Sequence, residues 1–93
     1  MFYVYTLVSQ CDGSSYTGKT NDLKKRILRH NRGYLKVTKR KIPSEIGYFE
    51  VFSTRSEAMW REWEFKRRYS SQQKKKMIAE FDRSRITEIL ENL

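Results

Sequence analysis

The residues Phe2-Tyr3-Val4-Tyr5-Thr6-Leu7-Val8 form an uncharged run of aromatic, β-branched and aliphatic side chains. Such a run favours extended backbone and reads as a buried strand. A strand must be paired, and Asp12-Gly13 supplies a hairpin signal just after it. Ser15-Tyr16-Thr17 then reads as the returning strand. If the turn has two residues, Tyr5, Leu7, Ser9, Tyr16 and Gly18 share one sheet face, because side chains alternate along a strand.

The rest of the chain alternates helix and strand signals. Thr20 or Asn21 can cap a helix over residues 22–32, which Gly33 would stop. Residues 34–44 are basic and irregular, with Pro43 near their end. Ile46 to Phe52 reads as a second apolar-aromatic strand. Thr54-Arg55-Ser56-Glu57 is a capping box opening a helix to Tyr69. Ser70 or Ser71 can cap a third helix, with Met77, Ile78 and Phe81 as its apolar side. Ser84 can cap a last one, with Ile86, Ile89, Leu90 and Leu93 at helical spacing. No repeat or linker interrupts this order, and 93 residues predict one domain. Its core is expected over residues 2–75, with a helical extension over 76–93.

Charge is the first clue to a partner. Twenty Lys and Arg against eleven Asp and Glu give +9. Residues 19–41 hold ten of the basic residues and one acid, Asp22, whereas residues 42–93 hold ten basic residues and nine acids. A local field of this sign suits a polyanion, most simply nucleic acid. Hydrophobic residues at 38% and aromatics at 14% exclude a disordered tail. One cysteine and one histidine exclude a disulfide framework and a structural zinc site. Cys11 beside the turn reads as an exposed thiol. No apolar run approaches the ~20 residues of a membrane span, and Met1-Phe2-Tyr3 does not open a signal peptide. A reducing, cytoplasmic setting is therefore expected.

Helical geometry singles out three side chains. At about 100° per residue, Leu23 and Ile27 of the first helix face the sheet, and Arg26 and His30 lie together on one edge of that stripe. They emerge where a cleft between helix and sheet would be. In the second helix, Glu62 falls inside the arc of Ala58, Phe65 and Tyr69. A carboxylate there loses hydration and needs a partner: a divalent metal, a cationic cluster or an arginine at the edge. Trp60 and Trp63 fall off the Glu62 face and are expected to pack on the C-terminal helices.

Taken in order, Tyr3-Val4-Tyr5, Tyr16-Thr17-Gly18-Lys19, Arg26-Ile27-Leu28-Arg29-His30 and Ser56-Glu57-Ala58-Met59-Trp60-Arg61-Glu62 resemble the GIY-YIG endonuclease domain over residues 2–75. The chain looks like the small stand-alone branch of that family. The resemblance implies an α+β fold, a small three-stranded antiparallel sheet flanked by helices, here with extra C-terminal helices. It implies hydrolysis of DNA phosphodiesters with one Mg²⁺ or Mn²⁺. Tyr5 is similar to the tyrosine closing the first motif and Tyr16 to the one opening the second. Gly18 resembles the glycine that lets backbone and phosphate approach, and Lys19 the lysine after it. Arg26 and His30 resemble the arginine and histidine of the first helix, and Glu62 the single metal-binding glutamate. Lys24, Arg29, Lys39 and Arg40 are the further expected phosphate contacts. Two departures stand out: Tyr3 replaces the glycine of the first motif, and Gln72-Gln73-Lys74-Lys75-Lys76 lies where relatives often carry an asparagine.

The chemistry is consistent with that set. Phosphodiester hydrolysis needs a base for water, charge stabilisation at the phosphorane and help for the leaving oxygen. One glutamate can hold one Mg²⁺, with water and phosphate completing its shell. A two-metal site would need several converging carboxylates, and residues 1–34 offer Asp12 and Asp22. Tyr16 is the expected base, Tyr5 its partner or alternative, and His30 a relay. The reading is a metal-dependent DNA endonuclease of repair, recombination or branched or single-stranded DNA processing. The competing reading is a nucleic-acid-binding module of the same fold without turnover.

Overall fold

A computed structural model describes residues 1–33 and 44–91. The expected contacts Lys39 and Arg40 lie outside the described residues. The elements run β1 (Phe2–Ser9), β2 (Ser15–Thr20), α1 (Leu23–Asn31), β3 (Ser44–Phe52), α2 (Arg55–Arg67), α3 (Ser71–Glu80) and α4 (Arg83–Glu91). The three strands form an antiparallel sheet in the order β2-β1-β3. The α+β class and the sheet agree with the sequence reading.

The hairpin register differs from the two-residue turn. Tyr5 opposes Gly18 and Leu7 opposes Tyr16. Ser9 donates to the Ser14 carbonyl, and the Gly13 N–H returns to the Ser9 carbonyl. Residues 10–13 therefore make the loop, held by Asp12, which accepts from the Ser14 N–H and hydroxyl at 2.9 and 2.7 Å. Gly13 supplies the left-handed residue at φ 75°. The shift is by an even number of residues, so the expected face assignment survives.

Each face of the sheet is covered. Tyr5, Leu7, Ile46 and Phe49 pack with Leu23 and Ile27 of α1, and Ile86, Ile89 and Leu90 of α4 close over them. On the other face Val4 packs with Ala58 and Phe65 of α2, flanked by Tyr48, Tyr69 and Met77. Central β1 is thus buried on both sides, which explains its unbroken apolar run. The helix starts are set by side chains. Asp22, not Thr20 or Asn21, caps α1 by accepting from the Lys25 N–H at 3.1 Å. Thr54 caps α2 and Ser70 caps α3, the latter in a full box with Gln73. At α4, Asp82 rather than Ser84 accepts the first N–H. Gly33, at φ 80°, follows the end of α1 as expected.

A packing expectation fails as well. Trp60 and Trp63 are exposed, and among the described residues their ring contacts are with each other and with Arg68. Met77 of α3 joins the cluster around Phe65 on the sheet-facing side of α2, leaving the indoles on the outer side.

Candidate active site

The sheet edge at β2 gathers most of the expected residues. Tyr5 reaches across from β1, fully buried, and its hydroxyl accepts from Arg26 Nε at 3.1 Å. Burial pushes the Tyr5 phenol up to about 12, against the lowering effect of Arg26. At neutral pH this hydroxyl stays protonated and acts as a holder for the guanidinium. That weakens Tyr5 as the alternative base.

Gly18 has a crowded setting of its own. A Cβ there would meet the Tyr5 hydroxyl at 2.7 Å and the Tyr16 ring at 3.2 Å. The space a side chain would take at Gly18 is filled by the two tyrosines. The glycine therefore works by letting Tyr5 lie across β2 and reach Arg26.

His30 is buried at 1% exposure and stacks on Tyr16, ring centroids 6.4 Å apart. Burial, then the nearby Arg26 charge, holds the imidazole below its ordinary value of 6.5. It is neutral at pH 7 and steadies the Tyr16 ring from beneath. Sequence geometry put it at the cleft edge; the structure sets it inside.

Lys19 points to the opposite sheet face from Tyr16, because the two are three residues apart on β2. There its ammonium lies 4.0 Å from Glu62, which also meets Lys66 at 3.6 Å. Among the described residues, Glu62 is therefore held by lysines and not by an arginine. Lys19 ties Glu62 to an open cleft of about 330 Å³ where β2 passes into α1. Phe2, Lys19, Thr20, Asn21, Arg26, Arg29 and Arg55 line it. Lys24 is half-buried on α1 and does not line this cleft.

Arg55 is the cleft residue the sequence reading missed. It stands at the first position of α2, directly after the Thr54 cap. A cation there opposes the positive end of the helix dipole. That local inconsistency was the available signal for it. With Lys19, Arg26 and Arg29, it gives the cleft four cations, a charge pattern of the kind that suits phosphate oxygens.

A second carboxylate on the α2 side behaves differently. Glu50 receives Arg61 Nε at 2.8 Å and Nη2 at 3.1 Å, and the Tyr48 hydroxyl as well. Burial alone would raise its carboxyl, but the Arg61 and Tyr48 hydrogen bonds outweigh that and hold it low. Arg61 also donates to the Tyr69 hydroxyl and lies over the Phe65 ring. This cluster is closed on itself. Among the described residues, no three of His, Cys, Asp and Glu converge as a metal cage.

Comparison with known proteins accords with this geometry. The family model described as the GIY-YIG catalytic domain matches residues 1–76. A UPF0213 protein of Staphylococcus saprophyticus is 47% identical over 79 residues, covering 84% of this chain and 94% of the relative. One from Staphylococcus aureus is 43% identical over the same share of each chain. The solution NMR structure of a UPF0213 protein from Bacillus halodurans superposes with a TM-score of 0.53 at 36% identity, covering 85% of this chain and 84% of that one. The chain belongs to the GIY-YIG catalytic domain family, a family of nucleases, and groups there with the UPF0213 proteins.

Proposed function

We propose that this chain is a divalent-metal-dependent endonuclease that hydrolyses DNA phosphodiester bonds, in repair, recombination or the processing of branched or single-stranded DNA. The observation that carries the reading is the cleft where Lys19, Arg26 and Arg29 converge, with Glu62 held across Lys19. Arg26 is anchored through Nε on Tyr5, so its terminal nitrogens are the ones to meet a phosphate. Lys19, Arg29 and Arg55 add positive charge where the phosphorane would gain negative charge. Tyr16 is the base or proton relay, its ring fixed by His30 and Gly18.

The donor set fits a single hard cation. Glu62 lies 3.6 and 4.0 Å from its lysines, longer than the ~2.7–2.9 Å of a charge-assisted hydrogen bond, so its oxygens can be released to another cation. Glu62 would hold one Mg²⁺ or Mn²⁺, with water and phosphate oxygens as its other ligands. Such an ion supplies Lewis-acid stabilisation of phosphate charge.

The second reading, binding without turnover, draws on Gln73. Where relatives often carry asparagine, Gln73 commits its amide oxygen to the Ser70 N–H at 2.8 Å. One experiment separates the two. Supercoiled plasmid and branched or single-stranded oligonucleotides are incubated with the protein, with Mg²⁺, with Mn²⁺ and with chelator. The nuclease reading expects metal-dependent nicking that Glu62→Gln removes. A salt-sensitive complex without cleavage on every substrate would leave the binding module.

A further inference from the structure

Trp60 and Trp63 are the chain's two tryptophans, and the core uses neither. They are 57% and 39% exposed, and Met59 beside them is 52% exposed. The indoles lie 5.1 Å apart at 17°, already stacked. The Arg68 guanidinium sits over both, 5.9 and 5.1 Å from the ring centres. With Ser56 and Met59 they line a shallow depression of about 360 Å³. A contiguous exposed aromatic surface of this kind marks a contact site.

Its position and its rim indicate which contact. Arg55 lines the cleft, and the next residue, Ser56, lines the depression. On the helix wheel Arg55 and Glu62 lie within about 20° of each other, and from Arg55 the residues Met59, Trp63 and Trp60 follow at about 40°, 80° and 140°, a row that leads from the cleft side to the outer face. The aromatic surface therefore continues from the cleft. Lys66, Arg67 and Arg68 edge it with positive charge. The acids of the outer face are engaged elsewhere, Glu57 by Thr54 and Glu64 by Arg61. Aromatic faces interleaved with cations suit a strand of nucleotides: rings for the bases, cations for the phosphates. Bases inside a duplex are stacked on each other and cannot reach an indole face.

We infer that Trp60 and Trp63, with Met59 and Arg68, form a base-stacking platform for an unpaired segment of the nucleic acid whose backbone lies in the adjoining cleft. This inference rests on the nuclease reading and deepens it. The favoured substrate is one with a single-stranded arm or flap, cleaved near its junction with the paired part.

Because both tryptophans belong to the platform, intrinsic fluorescence reads it directly. The full chain, in chelator to prevent cleavage, is titrated with three oligonucleotides of equal length: an oligothymidylate, an abasic strand and a duplex. The expected result is strong quenching by oligothymidylate and little by the other two. Trp60→Ala and Trp63→Ala should each weaken oligothymidylate binding roughly tenfold, and Trp→Phe should restore most of it. Melting of each variant checks the fold, which exposed positions should not disturb. Equal quenching by the abasic strand, or unchanged affinity in both alanine variants, overturns the platform while leaving the cleft reading standing. Failure of the wild type to bind any of the three strands defeats the cleft reading too. A dimer by sedimentation that Trp60→Ala dissolves would overturn the platform in favour of self-association.

Discussion

Two carboxylates lie on the α2 side of the sheet, Glu50 on β3 and Glu62 on α2 itself, and their surroundings are opposite. Glu50 is gripped by a two-pronged Arg61 and by Tyr48, and Arg61 is in turn held by Tyr69 and Phe65. Glu62 has two lysines at 3.6 and 4.0 Å, one of them half exposed, and no arginine fork among the described residues. Glu50 and Glu62 have similar exposure, 24% and 20%, so burial does not separate them. Geometry does. Planar guanidinium fixes both oxygens of a carboxylate, whereas flexible ammonium groups hold it without fixing it. The first arrangement stabilises a fold. The second leaves a charge available beside Lys19 of the cleft, as the proposed metal site requires.

Two tyrosines, Tyr16 of the proposed site and Tyr48 of the closed cluster, give the largest test of that contrast. Tyr16→Phe keeps the ring against His30 and deletes the hydroxyl. Cleavage should fall by roughly 10²–10⁴-fold, the usual contribution of a general base. Stability should move by about 0.5–1.5 kcal/mol at most. Tyr48→Phe should reverse the pattern, with cleavage kept and melting lowered. Single-turnover cleavage and thermal melting on both variants decide it. Equal cleavage by Tyr16→Phe and wild type would take the base away from Tyr16.

The carboxylate pair comes next. Glu50→Gln takes the two-pronged partner from Arg61 and leaves it the longer Glu64 contact at 3.5 Å. Loss of hydrogen bonds to a charged group should lower stability by about 1.5–3 kcal/mol. For a domain of this size that is roughly 4–8 °C in Tm per kcal/mol. Glu62→Gln should leave Tm near wild type and remove metal-dependent cleavage while sparing DNA binding. Similar melting losses in both variants would erase the distinction between closed cluster and open site.

How far the sequence could see this distinction depends on which physics each feature obeys. Strand and helix identity follow local pattern, so β1, β3 and all four helices were legible, as was Gly33 at the end of α1. Glu62 stood out because it fell in an apolar arc, and Arg26 because it sat at the edge of one. Glu50 did not stand out. Its partner Arg61 arrives from another element, and nothing in the strand Ile46–Phe52 announces a long-range fork. The crowding at Gly18 was not legible for the same reason, since what fills its space is Tyr5 from the neighbouring strand. Trp60 and Trp63 were assigned to a helix contact because large aromatic rings usually find cover. A wheel gives direction but cannot show whether another helix arrives.

Cleft cations offer an intermediate effect. Each neutralised phosphate contributes about 0.9 to the log–log salt slope on duplex DNA. Arg29→Gln and Arg55→Gln should each flatten that slope by roughly one contact, and Lys24→Gln by less. A slope unchanged by Arg55→Gln would remove it from the cleft surface.

His30 gives a pH test on the Tyr16 side. Its folded-state value lies below 6.5, so between the two values the unfolded chain binds more protons. Stability is then fully present above about pH 6.5 and declines as pH falls below it. His30→Asn should flatten urea-midpoint stability across pH 5–7, at a cost in packing. A wild-type profile with no decline over that range would mean the imidazole is not held neutral.

The smallest expected effect is the sharpest for Glu62 itself. Lys66 is half exposed and four residues along the same helix, so the pair should be worth no more than about 0.5 kcal/mol. Lys66→Gln should leave Tm within about 2–4 °C of wild type by that measure. Yet the same ammonium competes with a cation for Glu62. Removing it should lower the Mg²⁺ concentration for half-maximal cleavage a few-fold, because opposite charges about 4 Å apart in water interact by roughly 1 kcal/mol. The parallel change in the closed cluster, Arg61→Gln, should cost stability and leave the Mg²⁺ requirement alone. Metal titrations of cleavage on the two variants read the contrast directly. An unchanged Mg²⁺ requirement in Lys66→Gln would mean that the lysine and the ion do not share the Glu62 carboxylate.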